Sequence, residues 1–219
     1  EVEMVDADPR RGNSVFSRDF GGCIREGYIL GNFKEPVRFL EREVYKNKME
    51  KLGIPIVAEC KEGLFEGGDF TFLDDNTLAI GMVARSNEKG IDEIIKSLKK
   101  YGYKVIAVPC DEKYLHLDLC FNLVDEKLAV AYRDGLPRDF LKTLDDMGIE
   151  TIDISEESVF NHGCNLQSIG KKRVISLKQN TYVNEELRKR GITVIDLDIT
   201  EILKAGGGPH CMTFPLSRV

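Results

Sequence analysis

One local pattern recurs four times along the chain and constrains its fold more than any bulk property. A helix-like stretch ends at a glycine, and a short β-branched run follows. It reads Gly53-Ile54-Pro55-Ile56-Val57, Gly102-Tyr103-Lys104-Val105-Ile106, Gly148-Ile149-Glu150-Thr151-Ile152 and Gly191-Ile192-Thr193-Val194-Ile195. The glycines are 49, 46 and 43 residues apart. Glycine beyond a helix end supplies the left-handed cap, and an extended apolar run after it reads as a strand. A period of about 45 residues is the signature of a repeat architecture.

Within each period the order is the same. Two strand-like stretches flank a turn, as in Phe70–Leu73 with Thr77–Gly81 and Cys120–Val124 with Lys127–Tyr132. An amphipathic helix follows, marked by Ile91, Ile94, Ile95 and Leu98, or by Phe140, Leu141 and Leu144. The glycine and a closing strand complete the unit. The pattern predicts an α/β chain of ββαβ units at 13–60, 66–110, 116–155 and 161–199 in a single domain spanning 1–219. Residues 207–219, with a strand expected at Met212–Leu216, and residues 1–6 read as pieces of a fifth unit lacking one strand and one helix. The expectation is a missing segment of about 35–45 residues, because units stacked around an axis close only when the gap is filled.

Charge narrows the partners. Lys and Arg total 31 against 37 Asp and Glu, for a net charge of −6. Such a chain has no excess of cations to neutralise phosphates, which argues against a nucleic-acid or anionic-membrane partner. No apolar run approaches the ~18–20 residues of a membrane span, and EVEMVDADPRR has no secretory character. The cysteines Cys23, Cys60, Cys110, Cys120, Cys164 and Cys211 form no C-x-x-C pair, which fits free thiols in a reducing, cytoplasmic setting.

Three motifs stand apart from the strand and helix background. Glu66-Gly67-Gly68-Asp69 places two acids around a glycine pair at a strand start, where glycine permits close backbone approach. In Leu115-His116-Leu117-Asp118-Leu119, strand alternation would turn His116 and Asp118 to one face, an acid–base pair. Gly206-Gly207-Gly208-Pro209-His210-Cys211 is an irregular loop able to hold a thiol at the mouth of a site. Each motif opens a different unit, so a ring would bring thiol, imidazole and carboxylate together at one end. His210, beside Cys211 on an extended chain, is expected to shape the loop, and His162 to be a capping or surface residue.

With Ser17-Arg18-Asp19 upstream, the set EGGDF, HLDL and GGGPHCMT resembles the guanidino-group-modifying enzymes over the whole chain and in order. These include arginine deiminases and dihydrolases, dimethylarginine dimethylaminohydrolases, agmatine deiminases and amidinotransferases. The resemblance implies the pentein fold, a five-bladed α/β-propeller of ββαβ units about a pseudo-fivefold axis, with the fifth unit incomplete here. It implies Cys211 as nucleophile, His116 as general acid and base and Glu66 as its carboxylate. By the same likeness Asp19 and Asp118 grip a guanidinium, Asp69 shapes the pocket, Arg85 and Arg38 lie near a substrate carboxylate, and Asn13 contacts substrate. The chemistry needs no metal and no organic cofactor, and the implied partner is a small guanidino compound, with a homo-oligomer possible.

By the same resemblance, Asp118 two residues after the histidine favours an unsubstituted guanidinium, since dimethylarginine hydrolases tend to lack an acid there and a methylated nitrogen has fewer N–H donors, while amidinotransferases share it. The expected activity is therefore hydrolysis of arginine or a close analogue through an S-amidino-cysteine. Dimethylarginine hydrolysis and amidino transfer are the alternatives. The same propeller also serves as a non-catalytic ribosome anti-association factor, a reading that predicts loss of the acidic, His and Cys motifs, all of which this chain keeps.

Overall fold

A computed structural model describes residues 2–217. The four units appear in order. The first holds β1 (Gly21–Ile24), β2 (Gly27–Leu30), α1 (Phe39–Lys51) and β3 (Ile56–Glu59). The second holds β4 (Phe70–Phe72), β5 (Thr77–Met82), α2 (Glu88–Leu98) and β6 (Lys104–Pro109). In the third, β7 (Phe121–Asp125), β8 (Leu128–Ala131), α3 (Arg138–Asp146) and β9 (Glu150–Asp153) precede a short α4 (Glu156–Phe160). In the fourth, β10 (Gln167–Ser168), β11 (Arg173–Leu177), α5 (Thr181–Lys189) and β12 (Thr193–Leu197) precede α6 (Thr200–Leu203).

Each unit forms its own three-stranded sheet. The first two strands pair as an antiparallel hairpin, and the helix carries the chain over to a third strand parallel to the second. In the second unit, for instance, Ile80 faces Phe70 on one side and Ala107 on the other. The middle strand is the buried one: Leu78, Ala79 and Ile80 are inaccessible, as are Ala129, Val130 and Ala131. The helices bury the predicted stripes, Ile91, Ile94 and Leu98 on α2 and Phe140 and Leu144 on α3. Asn87 caps α2 by accepting from the Gly90 N–H. The four repeat glycines all have left-handed φ values, +70°, +81°, +65° and +77°, the conformation that ends a helix cheaply only without a Cβ.

The terminal stretches differ from expectation. Met212–Leu216 is not a strand: the Met212 and Thr213 N–H groups are taken by turn bonds to the Gly208 and His210 carbonyls, leaving no ladder. The segment docks by side chains instead, with the Phe214 ring 5.3 Å from Phe20. Residues 2–6 likewise form no strand, and Val2 and Met4 are exposed; Glu1, Arg218 and Val219 of the predicted fifth unit lie outside the described residues. Among the described residues, no helix is long and apolar enough to cross a membrane.

Candidate active site

The acidic and histidine motifs meet the cysteine loop, but from tight turns rather than from strands, and the Ser17-Arg18-Asp19 segment joins them on a third such turn. Ser17–Phe20, Gly67–Asp69 and Leu117–Leu119 are each single 3-10 turns that lead into the first strand of a unit. A 3-10 turn breaks the period-two alternation, so His116 and Asp118 do not share a face as predicted. They address different neighbours.

His116 lies between two carboxylates. Its Nε2 is 3.0 Å from Glu66 Oε2, and its Nδ1 is 3.8 Å from Asp19 Oδ1. All three residues are buried. Burial works against an imidazolium, but the Asp19 charge and the Glu66 bond outweigh it and lift the His116 pKa to about 10. Despite burial, Glu66 is held below the ordinary carboxylate range by His116 and by the Lys34 N–H, which donates to its Oε1 at 3.0 Å. Gly68 makes this geometry possible: a Cβ there would sit 2.6 Å from the imidazole ring.

Asp118 faces the cysteine loop. Its Oδ2 is 2.7 Å from His210 Nδ1 and 3.9 Å from the Cys211 sulfur. Burial raises its pKa, but His210 more than compensates and the net direction is down. His210 therefore does more than shape the loop. Residues 209–212 turn rather than extend, so neighbouring side chains need not point apart. Burial, with the charges of Asp118 and Asp19, pushes the Cys211 thiol far above its ordinary pKa.

Other expected site residues are placed differently. Asp69 is fully buried behind the site, accepting from Ser86 Oγ at 2.6 Å and from the Leu117 N–H at 2.8 Å; burial lifts its pKa to about 7. Arg38 is neither an exposed helix residue nor free for a substrate carboxylate. It is 4% exposed, paired with Asp19 and with Glu41 at 2.7 Å, bonded to the Phe16 carbonyl and stacked on Phe33. Arg85 is half-buried, 3.3 Å from Glu35 and 3.8 Å from Glu66. Asn13 is exposed in the turn before Ser17. His162 takes a left-handed φ of +63°, and burial lowers its pKa.

Two further residues belong to the site. Arg18 fixes the cysteine loop: its backbone N–H donates to the Cys211 carbonyl at 3.0 Å and its Nε to the His210 carbonyl at 3.1 Å. Asn165 places its Nδ2 2.9 Å from the Cys211 sulfur. The signal for Asn165 was positional. Asp19, Asp69 and Asp118 each stand one to three residues before the first strand of a unit, and Asn165 holds the same station before β10.

Among the described residues, Asp19, Glu66 and His116 have potential metal-ligand atoms within 4.8 Å of one another. Their charges are already matched, Asp19 to Arg38 and Glu66 to His116. Five buried side-chain atoms among the described residues have no hydrogen-bond partner, and two are Asp19 Oδ1 and Asp118 Oδ1. Burial raises the Asp19 carboxyl pKa, whereas His210 holds Asp118 down against burial, and a buried carboxylate oxygen without a donor is costly. The pair is suited to a cation presenting several N–H donors.

Comparison with known proteins places the chain among relatives of known activity. The chain is 36% identical over 219 residues to the uncharacterised protein YkgA of Bacillus subtilis, covering 99% of this chain and 75% of YkgA. It is 27% identical over 253 residues to the arginine deiminase of Bacillus thuringiensis, covering 94% of this chain but 62% of that enzyme. The N-terminal domain of ArgZ, a cyanobacterial arginine dihydrolase solved with product, superposes with a TM-score of 0.87 at 25% identity, over 98% of this chain and 79% of that one. The dimethylarginine hydrolase DDAH of Pseudomonas aeruginosa, solved with citrulline, gives 0.80 at 25% identity over 94% and 78%. The sequence profile described as N,N dimethylarginine dimethylhydrolase, eukaryotic, matches residues 1–218. The chain belongs to the dimethylarginine dimethylhydrolase family, within the guanidino-group-modifying superfamily of pentein fold.

Proposed function

We propose that this protein hydrolyses the guanidino group of arginine or a close analogue through a covalent S-amidino intermediate on Cys211. One observation carries the reading: a thiol, an imidazole held between two carboxylates, and two buried carboxylate oxygens without donors meet at one place. The four units and both terminal stretches act as one domain, and its partner is a small guanidino molecule.

Asp19 and Asp118 accept N–H bonds from the planar guanidinium and fix its central carbon beside the sulfur. Burial, together with the Asp118 and Asp19 charges, keeps the Cys211 thiol predominantly protonated. A bound guanidinium reverses the local sign, and the thiol proton leaves to solvent. The thiolate adds to the guanidinium carbon. His116, charged at neutral pH, passes its proton to one terminal nitrogen, which departs as an amine. Glu66 and Asp19 steady the ring in both charge states. The neutral imidazole then deprotonates a water, which adds to the amidino carbon; the C–S bond breaks and a ureido product leaves. Arg85, Arg38, Asn13 and Asp69 support the pocket around this centre.

Asp118 favours arginine over dimethylarginine. Its Oδ2 is committed to His210, and its free Oδ1 requires an N–H that a dimethylated nitrogen lacks. The match to the dimethylarginine family favours the other substrate. Incubation with each compound separates them: citrulline with one ammonia from arginine marks a deiminase, ornithine with two ammonias a dihydrolase, and citrulline with dimethylamine from dimethylarginine a dimethylargininase. Release of no product from any of them contradicts the proposal.

A further inference from the structure

We propose that Asn165 is a positioning residue for the Cys211 nucleophile, locked by the cysteine loop's own backbone so that its amide N–H faces the sulfur. The inference rests on Cys211 being the nucleophile and adds the group that aims it.

Asn165 is fully buried. Its Oδ1 accepts the His210 N–H at 2.9 Å and lies 3.4 Å from the Cys211 N. Two backbone donors converge there, so only the oxygen fits that side; the reverse orientation would set N–H against N–H. The NH₂ group must then face the sulfur, where Nδ2 stands 2.9 Å away. The Asn165 N–H donates to the carbonyl of His162, the residue with the left-handed φ. Gly208 leaves the necessary room: a Cβ on it would lie 2.8 Å from Asn165 Oδ1.

The charge pattern explains why such a donor is needed. Burial, Asp118 from the third unit and Asp19 from the first all oppose a thiolate, while the Asn165 amide and the Gly208 backbone favour it. His210 is bonded to Asp118, and Arg18 donates to the His210 carbonyl and to Gln167. An N–H bond to an anionic sulfur is stronger than one to a neutral thiol. Losing it should raise the thiol pKa by about one to two pH units, a ten- to hundredfold smaller thiolate fraction at neutral pH.

The test is the rate of Cys211 alkylation by iodoacetamide in substrate-free protein, followed by mass spectrometry of the Cys211 peptide at several pH values. Asn165→Asp keeps the backbone acceptor and replaces the donor with an oxygen. Alkylation at fixed pH should slow at least tenfold, kcat should fall by a similar or larger factor, and KM should change little. An unchanged alkylation rate in this variant overturns the proposal, whatever happens to turnover. If the Asp variant does not fold, Asn165→Ala in the same assay decides: its alkylation–pH profile should shift upward, and an unshifted profile is equally fatal. Because the thiol readout needs no substrate, slowed alkylation in a protein inactive on every guanidine would sink the proposed activity and leave the role of Asn165 standing.

Discussion

Replacing Arg38 by Met separates a structural role from a substrate-binding one. Arg38 is 4% exposed, and its guanidinium is the cation between Asp19 and Glu41, themselves 5% and 0% exposed. Met preserves much of the apolar stem over Phe33 but strips the buried Glu41 of its cation and leaves Asp19 only the more distant His116. Removing one partner of a buried ion pair typically destabilises by about 3–5 kcal/mol, because an uncompensated charge stays behind. For a chain of this length, each kcal/mol lowers Tm by about 2–4 °C. The expected fall in Tm is therefore about 6–20 °C by calorimetry or circular dichroism. Adding Glu41→Leu should recover part of the loss by removing one orphaned charge. Asp19 would still lack its clamp, so turnover should stay depressed in the double variant. A Tm within about 2 °C of wild type, together with a raised KM, would refute the burial argument and return Arg38 to the substrate carboxylate.

Other consequences are equally direct. His116 has a folded pKa of about 10 against an ordinary 6.5, so its stabilising contribution is complete below about pH 6.5 and lost as pH rises toward 10. Denaturant titrations from pH 6 to 10 should show a decline that is markedly smaller in His116→Gln; parallel curves would contradict the assignment. Gly68→Ala would drive a Cβ to 2.6 Å from the His116 ring, which should lower kcat by about a hundredfold and stability by about 1–3 kcal/mol. By contrast, Gly102→Ala faces open space at φ +81° and should cost about 1–2 kcal/mol with normal kcat. If Asp118 reads the N–H groups of an unsubstituted guanidinium, Asp118→Asn should depress turnover of arginine more than that of dimethylarginine; an equal loss on both would remove Asp118 from substrate choice.

The repeat was legible because it rests on local physics. A helix stripe, a left-handed glycine and a β-branched run are all properties of neighbours in sequence, and Gly53, Gly102, Gly148 and Gly191 behave as that physics requires. Two of the motifs could be located for the same reason, since Glu66–Asp69 and His116–Asp118 each precede a unit's first strand. What could not be read were the turns. Leu117–Leu119 and residues 209–212 leave the extended conformation, and that alone redirects Asp118 from His116 to His210. Long-range pairings were also hidden: nothing near Arg38 in sequence announces Asp19 and Phe16, and nothing in Asn161-His162-Gly163-Cys164-Asn165 points to a sulfur 46 residues away. The terminal strands failed because hydrophobic alternation at Met212–Leu216 does not supply a hydrogen-bonding partner.

The most direct test of the account is to trap its intermediate. Protein mixed with excess arginine and quenched in acid during steady turnover should carry, on the Cys211 peptide, the mass of arginine less one ammonia, and Cys211→Ser should carry none and turn over nothing. Dimethylarginine should leave the same adduct, having lost dimethylamine instead. Turnover that persists in Cys211→Ser, or an adduct on any other cysteine, would contradict the claim that Cys211 attacks the guanidinium carbon.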